Sequence, residues 1–339
     1  MRTFRRVTGG AVLLALLVSA CGPGAGSQSP SPSVAPTAVP TAAPTAAPSE
    51  AANSLASTLI FGGPPECPQR PFCLLGLEQT YGLHFKDFKP LDVGGPITVE
   101  ALANNEIQVA LLFSSDPTIS ARNFVMLADD MGLQRADNIV PVVNAQLVSD
   151  YPVVAGLLNR ISAELTQDVL VELNRQSTVE HADASDIATD WLAAGDLLAD
   201  ADPGAGADAP QIVVGKTNFY EQDILSELYA QILEANGFTV VRQDASGSRE
   251  VVFPALEAGD IDILPEYAAT ALEFVNGGAG QATADATETT DLLRTALEPM
   301  GLTALDPAPA TDQNAIVVTQ DLSDQYGLTK ISDLGQPAP

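Results

Sequence analysis

The chain has 339 residues, with 15 Lys and Arg against 43 Asp and Glu and a formal net charge of −28. This length allows two domains or one two-lobed domain. The acidic balance argues against a nucleic-acid binder, whose phosphate contacts need Lys and Arg; it suits solubility and modestly favours a cationic ligand.

Arg2, Arg5 and Arg6 precede the apolar run 11–18, and Ser19-Ala20-Cys21 follows. A positive end, a short apolar core and small residues predict an export signal over 1–20, too short to span as a mature helix. Val18-Ser19-Ala20-Cys21 resembles a bacterial lipobox. That resemblance implies cleavage before Cys21 and a lipid on its sulfur, which would hold the mature protein at the outer face of the cell membrane; the alternative is ordinary cleavage beside an incidental cysteine. Residues 22–57 are nearly all Pro, Ala, Ser, Thr and Gly. They carry too little apolar bulk to offset ordering entropy, so 21–57 reads as a lipid anchor followed by a disordered tether, able to reach on the order of 100 Å at about 3.1 Å per residue.

The remaining cysteines are Cys67 and Cys73 in GGPPECPQRPFC. In an oxidising compartment the simplest pairing is a small-loop disulfide. The alternatives are a metal site or a thiol nucleophile. His84 and His181 sit in unrelated contexts, and no partner base is signalled for a thiol. No cofactor is expected.

From 58 to 130 the pattern is α/β: a strand at 59–61, a helix at 74–81 stopped by Gly82, an extended stretch at 85–91, a helix at 97–103 and a strand at 107–113 running into Ser114-Ser115-Asp116. The segments 137–143 and 312–318 each switch from polar to apolar over one strand length, as strands crossing between two lobes would. Amphipathic helices are predicted over 155–165, 167–174 and 184–198, and the stretch 199–210, ADADPGAGADAP, reads as a flexible linker. A second unit follows over 212–272: a strand at 212–214, a helix from Glu221 closed by Gly237, a strand at 238–242, a helix at 251–257 closed by Gly259, and a strand at 261–264 entering Pro265-Glu266-Tyr267. The segment Ala101-Leu102-x-x-Asn-Glu-Ile107 is echoed by Ala255-Leu256-x-x-Gly-Asp-Ile261. Alternating strands and helices predict parallel sheets that bind ligand at their carboxyl ends, here 216–220 and 265–270.

Gly215-x-x-Asn218-Phe219-x-Glu221-Gln222, Ala255-Leu256 with Gly259-Asp260-Ile261-Asp262, Pro265-Glu266-Tyr267-x-x-Thr270 and Glu66-x-x-x-Arg70 together resemble the osmoprotectant-binding proteins of ATP-binding-cassette (ABC) importers. The resemblance runs from Thr58 to the C-terminus and implies a two-lobed, type II periplasmic-binding-protein fold. It further implies a lipoprotein outside the cytoplasm that shuts on glycine betaine, choline, carnitine or a similar solute and delivers it to an ABC permease. In the family the stretch resembling 212–334 comes first, so the chain resembles a circular permutant. One lobe, lobe A, would comprise 138–311 with the linker 199–210; lobe B would comprise 58–137 completed by 312–339. A dimer with swapped halves is the rival arrangement.

The family holds a quaternary ammonium among aromatic rings, each contributing about 0.5–2 kcal/mol. The resemblance implies ligand roles for Tyr267 and Thr270, for Arg70 as a carboxylate fork, and for Lys216 or Thr217 in the first loop. The chain departs from the family pattern in having Asn314 and Phe113 where tyrosines are usual and Ala136-Asp137-Asn138 where another precedes the second crossing strand. The ring set is thereby reduced to Tyr267, Phe113 and either Phe219 or Tyr220, with Asp137 or Asp116 able to supply charge instead. Two other classes make different demands on the sequence. A hydrolase would need an acid pair such as Asp260 and Asp262, and no nucleophile–base pattern is present. A sensor or interaction lipoprotein would lack permease neighbours.

Overall fold

The computed structural model describes residues 53–243 and 247–339. The export signal, Cys21 and the tether as far as residue 52 lie outside the described residues.

Ten strands form among the described residues: β1 (Ile60–Gly63), β2 (Asp87–Pro90), β3 (Val109–Phe113), β4 (Phe124–Met126), β5 (Ile139–Asn144), β6 (Ile212–Gly215), β7 (Val240–Gln243), β8 (Ile263–Tyr267), β9 (Leu302–Ala304) and β10 (Asn314–Thr319). They make two five-stranded sheets of the same order, β2-β1-β3-β10-β4 in lobe B and β7-β6-β8-β5-β9 in lobe A. In each, a strand from the far side of the chain enters antiparallel: β10 beside β3, with Ala315 opposite Leu112, and β5 beside β8, with Val142 opposite Leu264. These are the two polar-to-apolar switch segments. The α/β, two-lobed type II architecture implied by the resemblance is what the sheets form. Because both sheets carry the same strand order, that order reads alike from either lobe.

Why these strands are uninterrupted apolar runs follows from their burial on both faces. On β3, Val109 and Leu111 pack with Phe61, Leu77 and Ile316 on one face, while Ala110 and Leu112 pack with Val99, Leu102 and Val317 on the other. In lobe A, Ile263 joins the helices Pro152–Glu164 and Gln222–Ala235 on one face, and Leu264 joins Val252, Phe253 and Leu293 on the other.

Three expectations are corrected. The tether does not extend to 57: Leu55 and Ala56 are fully buried, and Ser54 bridges to Pro337. Two apolar residues suffice to anchor that end of the stretch against the C-terminal segment. Nor is the linker 199–210 loose. Gly206 is buried and its N–H donates to the Asn236 carbonyl. A Cβ on Gly237 would lie 2.0 Å from the Pro203 carbonyl oxygen, and the φ of +80° there also requires glycine. Ile107 does not begin a strand; it closes a turn onto the Ala101 carbonyl, and β3 starts at Val109. Cys67 and Cys73 are joined as a disulfide. No helix among the described residues is long and apolar enough to cross a membrane.

Candidate functional site

The segments that follow β3, β6 and β8 meet between the lobes, and aromatic rings line the meeting point. Phe113, the last residue of β3, stands edge-on to Phe219 with ring centroids 5.0 Å apart. Phe219 in turn lies 4.4 Å from Tyr220 and 6.0 Å, edge-on, from Tyr267. Rings from both lobes therefore pack around Phe219. T-shaped contacts of this kind are favoured by the ring quadrupoles.

A polar network runs beside the rings. The Tyr220 hydroxyl lies 2.5 Å from Ser115 Oγ, which donates to Asp312 Oδ1 at 2.7 Å. With the serine proton so committed, Tyr220 donates to Ser115. Tyr267 donates to Glu221 Oε1 at 2.8 Å, and Gln222 Nε2 donates to the Tyr267 oxygen at 3.3 Å. Asn174 Nδ2 donates to Glu221 Oε2 at 2.8 Å and to the Ser115 carbonyl at 3.2 Å. Ser115, Asn174, Glu221 and Gln222 are all fully buried. Burial pushes the Glu221 carboxyl up, and burial together with the Glu221 charge pushes Asp312 well above the usual carboxylate range. Two buried carboxylates that feel each other's charge and are bonded only by neutral donors titrate as a pair, and the second ionisation is opposed by the first.

Next to this pair stands a compensated ion pair. Arg249 Nε donates to both Glu266 oxygens, at 3.0 and 2.9 Å, and Nη2 donates to Glu266 Oε2 at 2.7 Å and to Thr270 Oγ1 at 2.8 Å. The Thr270 N–H donates to Asp137 Oδ1 at 2.9 Å. Burial pushes the Asp137 carboxyl up to about 6, against the opposing pull of the Thr270 N–H and the Arg249 charge.

The structure thus brings Tyr267, Phe113, Thr270 and Asp137 to one seam. Thr270, expected as a ligand contact, has its hydroxyl engaged by Arg249. Arg70 pairs with Glu66 at 3.3 Å and is mostly exposed. It nevertheless faces lobe A: the Glu250 carboxyl, held low chiefly by a Ser248 hydrogen bond, also feels the Arg70 charge. Lys216 pairs with Asp223, and the Thr217 N–H donates to Gln222 Oε1 at 3.2 Å. Asn314 Nδ2 donates to the Phe72 carbonyl at 3.0 Å, inside the disulfide loop. Asp116 Oδ1 accepts the Thr118 N–H at 2.8 Å, a turn cap. Asp260 is exposed, and Asp262 Oδ2 accepts the Val213 N–H at 2.8 Å, a structural task.

Sequence reading missed Asp312, Ser115, Asn174 and Arg249 as members of the site, and took Glu266 only as part of a strand-end motif. Asn174 alone gave a usable signal: it shares a helical face with Leu170 and Leu173, and a polar residue in an apolar stripe needs a buried partner.

Two sheet-based lobes joined by crossing strands, with rings and hydrogen-bonding groups gathered where their strands end, define a two-lobed solute-binding protein. The chain belongs to the family described as the substrate binding domain of the ABC-type glycine betaine transport system, which it matches over residues 34–194 and 210–339. It is similar to the glycine-betaine-binding protein of Pseudomonas aeruginosa, 29% identical over 152 residues, 44% of this chain and 48% of that protein. It is also similar to the glycine betaine-binding protein YehZ of Escherichia coli, 29% identical over 141 residues, 40% of this chain and 46% of that one. The chain therefore spans about half the length of these curated relatives. The solved structure of apo YehZ from Escherichia coli overlays with a TM-score of 0.37 at 10% identity, covering 83% of this chain and 86% of that one.

Proposed function

We propose that the protein captures a small compatible solute, a quaternary amine such as glycine betaine, choline or carnitine, between its lobes outside the cytoplasm and hands it to an ABC permease. The observation that carries this reading is the ring cluster of Phe113, Phe219, Tyr220 and Tyr267, drawn from both lobes at the ends of their strands. Rings supplied by both halves reward the shut form when a cation sits among them. The names of the relatives in Pseudomonas aeruginosa and Escherichia coli support the solute class. Calorimetry of the purified protein against betaine, choline, carnitine, ectoine and amino acids tests it, with Tyr267→Ala and Arg70→Ala as site variants. Micromolar binding of one amine that is weakened by Tyr267→Ala is expected; tight binding that neither substitution alters would place the solute elsewhere.

Anchoring through a lipid on Cys21 belongs to the same proposal and is tested by metabolic fatty-acid labelling of wild type and Cys21→Ala. So does the reversed order of the halves. The break in the family match between 194 and 210, at the joint expected for a permutant, supports it. A re-permuted chain that starts at 210 and joins 339 to 53 should fold and bind as the natural one does. Gel filtration at monomer size would dispose of the swapped dimer.

A further inference from the structure

We infer that the seam takes an organic monocation without a carboxylate, held by Glu221 and Asp312. This inference rests on the solute-capture reading and names the class of solute. The argument starts with the cationic side chains near the cleft. Arg249 is engaged by Glu266, Arg70 by Glu66 and Lys216 by Asp223. The fork expected to clasp a ligand carboxylate is thus already neutralised, and so are Arg249 and Lys216.

The anionic side is the reverse. Glu221 and Asp312 are buried, and the hydrogen bonds they accept come from Tyr267, Asn174 and Ser115, all neutral donors. Glu221 precedes the helix Gln222–Ala235, whose positive end offsets up to about half a charge of the two. Buried charge needs a partner or a proton. One further acceptor points the same way. Asn174 is fully buried with its Nδ2 on Glu221, and its Oδ1 has no hydrogen-bond partner. Surplus acceptors, two carboxylates and a cluster of ring faces suit a cation. A zwitterion would bring its own carboxylate against Glu221, Asp312 and Asp137.

A cation arriving here takes the place of a proton that the carboxylate pair otherwise keeps. The titratable groups facing the pair are Tyr220 and Tyr267 from lobe A, Asp116 from lobe B and Asp137 from the crossing segment. Arg249 stands behind Asp137 and Tyr267. Both tyrosines are held neutral by burial and the adjacent carboxylates. The proton therefore leaves from the carboxylate pair, with Asp137 as the next acid in line.

Choline and glycine betaine are the probes: the same trimethylammonium group without and with a carboxylate. Calorimetry in two buffers of different ionisation enthalpy, at about pH 5.5 and about pH 8, counts the protons released. Choline should bind at least about tenfold tighter than betaine, tighten as the pH rises, and release about one proton. Asp312→Asn, or the isosteric Glu221→Gln if the first variant is poorly folded by circular dichroism, should weaken choline at least about tenfold and abolish the release. Betaine binding as tightly as choline, without proton release, overturns this inference and leaves solute capture standing. Failure of every amine in the panel to bind, or to raise the melting temperature, overturns both.

Discussion

Arg249 is the side chain whose removal tests most directly how the seam is built. Its guanidinium reaches both oxygens of Glu266, whose side chain is 1% exposed, and also holds the Thr270 hydroxyl. Replacing Arg249 by Met leaves a carboxylate in a site with almost no water, and breaking such a pair costs about 3–5 kcal/mol. For a domain this large, each kcal/mol moves the melting temperature by about 2–4 °C, so a drop of roughly 6–20 °C is expected. The deficit should shrink on acidification. A protonated carboxyl brings no buried charge, so acid relieves the penalty of the missing partner. Removing both charges, as Arg249→Met with Glu266→Gln, should recover at least about 2 kcal/mol of the single-variant loss, because Glu266 is then no longer an unpaired buried charge. Urea unfolding of the wild type, both single variants and the double variant at about pH 5 and about pH 8 measures the cycle. An Arg249→Met variant within about 1 kcal/mol of wild type, or a double variant whose deficit equals the sum of the singles, would refute the reasoning.

Asp137 has a folded-state pKa of about 6 against an ordinary 3.8, so the stability it contributes is present below about pH 4 and lost as pH rises through 6. The interval corresponds to about 3 kcal/mol, and Asp137→Asn should flatten the urea midpoint between about pH 4 and pH 7. Leu55, fully buried at the N-terminal end of the described fold, should cost about 2–4 kcal/mol as Leu55→Ala, read by the same unfolding curves; a neutral result would mean the segment does not belong to the core. The disulfide closes a sequence separation of 6 residues, so Cys67→Ser with Cys73→Ser should cost about 2 kcal/mol, measured by calorimetry with and without reductant. Phe219, at the centre of the ring cluster, should weaken solute binding about tenfold or more as Phe219→Ala, measured by titration.

The elements were legible because each carries its own punctuation. The helix Leu74–Tyr81 ends on Gly82 at φ +66°, and the helix Arg249–Ala258 ends on Gly259 at φ +78°; both stops show in the sequence as glycines after an apolar run. The strands β4 and β9 were not legible: each is three residues long and pairs with a crossing strand distant in sequence. The site was half legible for a similar reason. Tyr267 and Phe113 announce themselves at strand ends, where a parallel sheet gathers ligand contacts. Asp312 and Glu221 are 91 positions apart in the numbering, and only folding brings them close enough for Asp312 to feel the Glu221 charge. Their separation leaves no periodicity or motif to read. Arg249 looks like an ordinary first-turn residue until Glu266 is seen beside it.

The internal echo shows that the two lobes use the same local devices. Asn105 and Gly259 occupy the same place after their helices, with φ +56° and +78°, the left-handed conformation that asparagine and glycine accept most readily. The following N–H groups, of Glu106 and Asp260, both return to the helix, at the Ala101 and Ala255 carbonyls. Two positions further, Gln108 and Asp262 each use a side-chain oxygen to accept the N–H of the first strand, at Ile60 and Val213. Each lobe thus carries its own stop, turn and strand tie, and neither depends on which comes first in the chain. The ends of the described fold are also tied. The Leu55 N–H donates to the Gln336 carbonyl, and the Ala338 N–H donates to the Asn53 carbonyl, both at 2.7 Å. Ends that already meet can be joined with little loop-closure entropy, and an opening at the turns of 199–210 falls between complete units. The described fold begins at residue 53, just before β1.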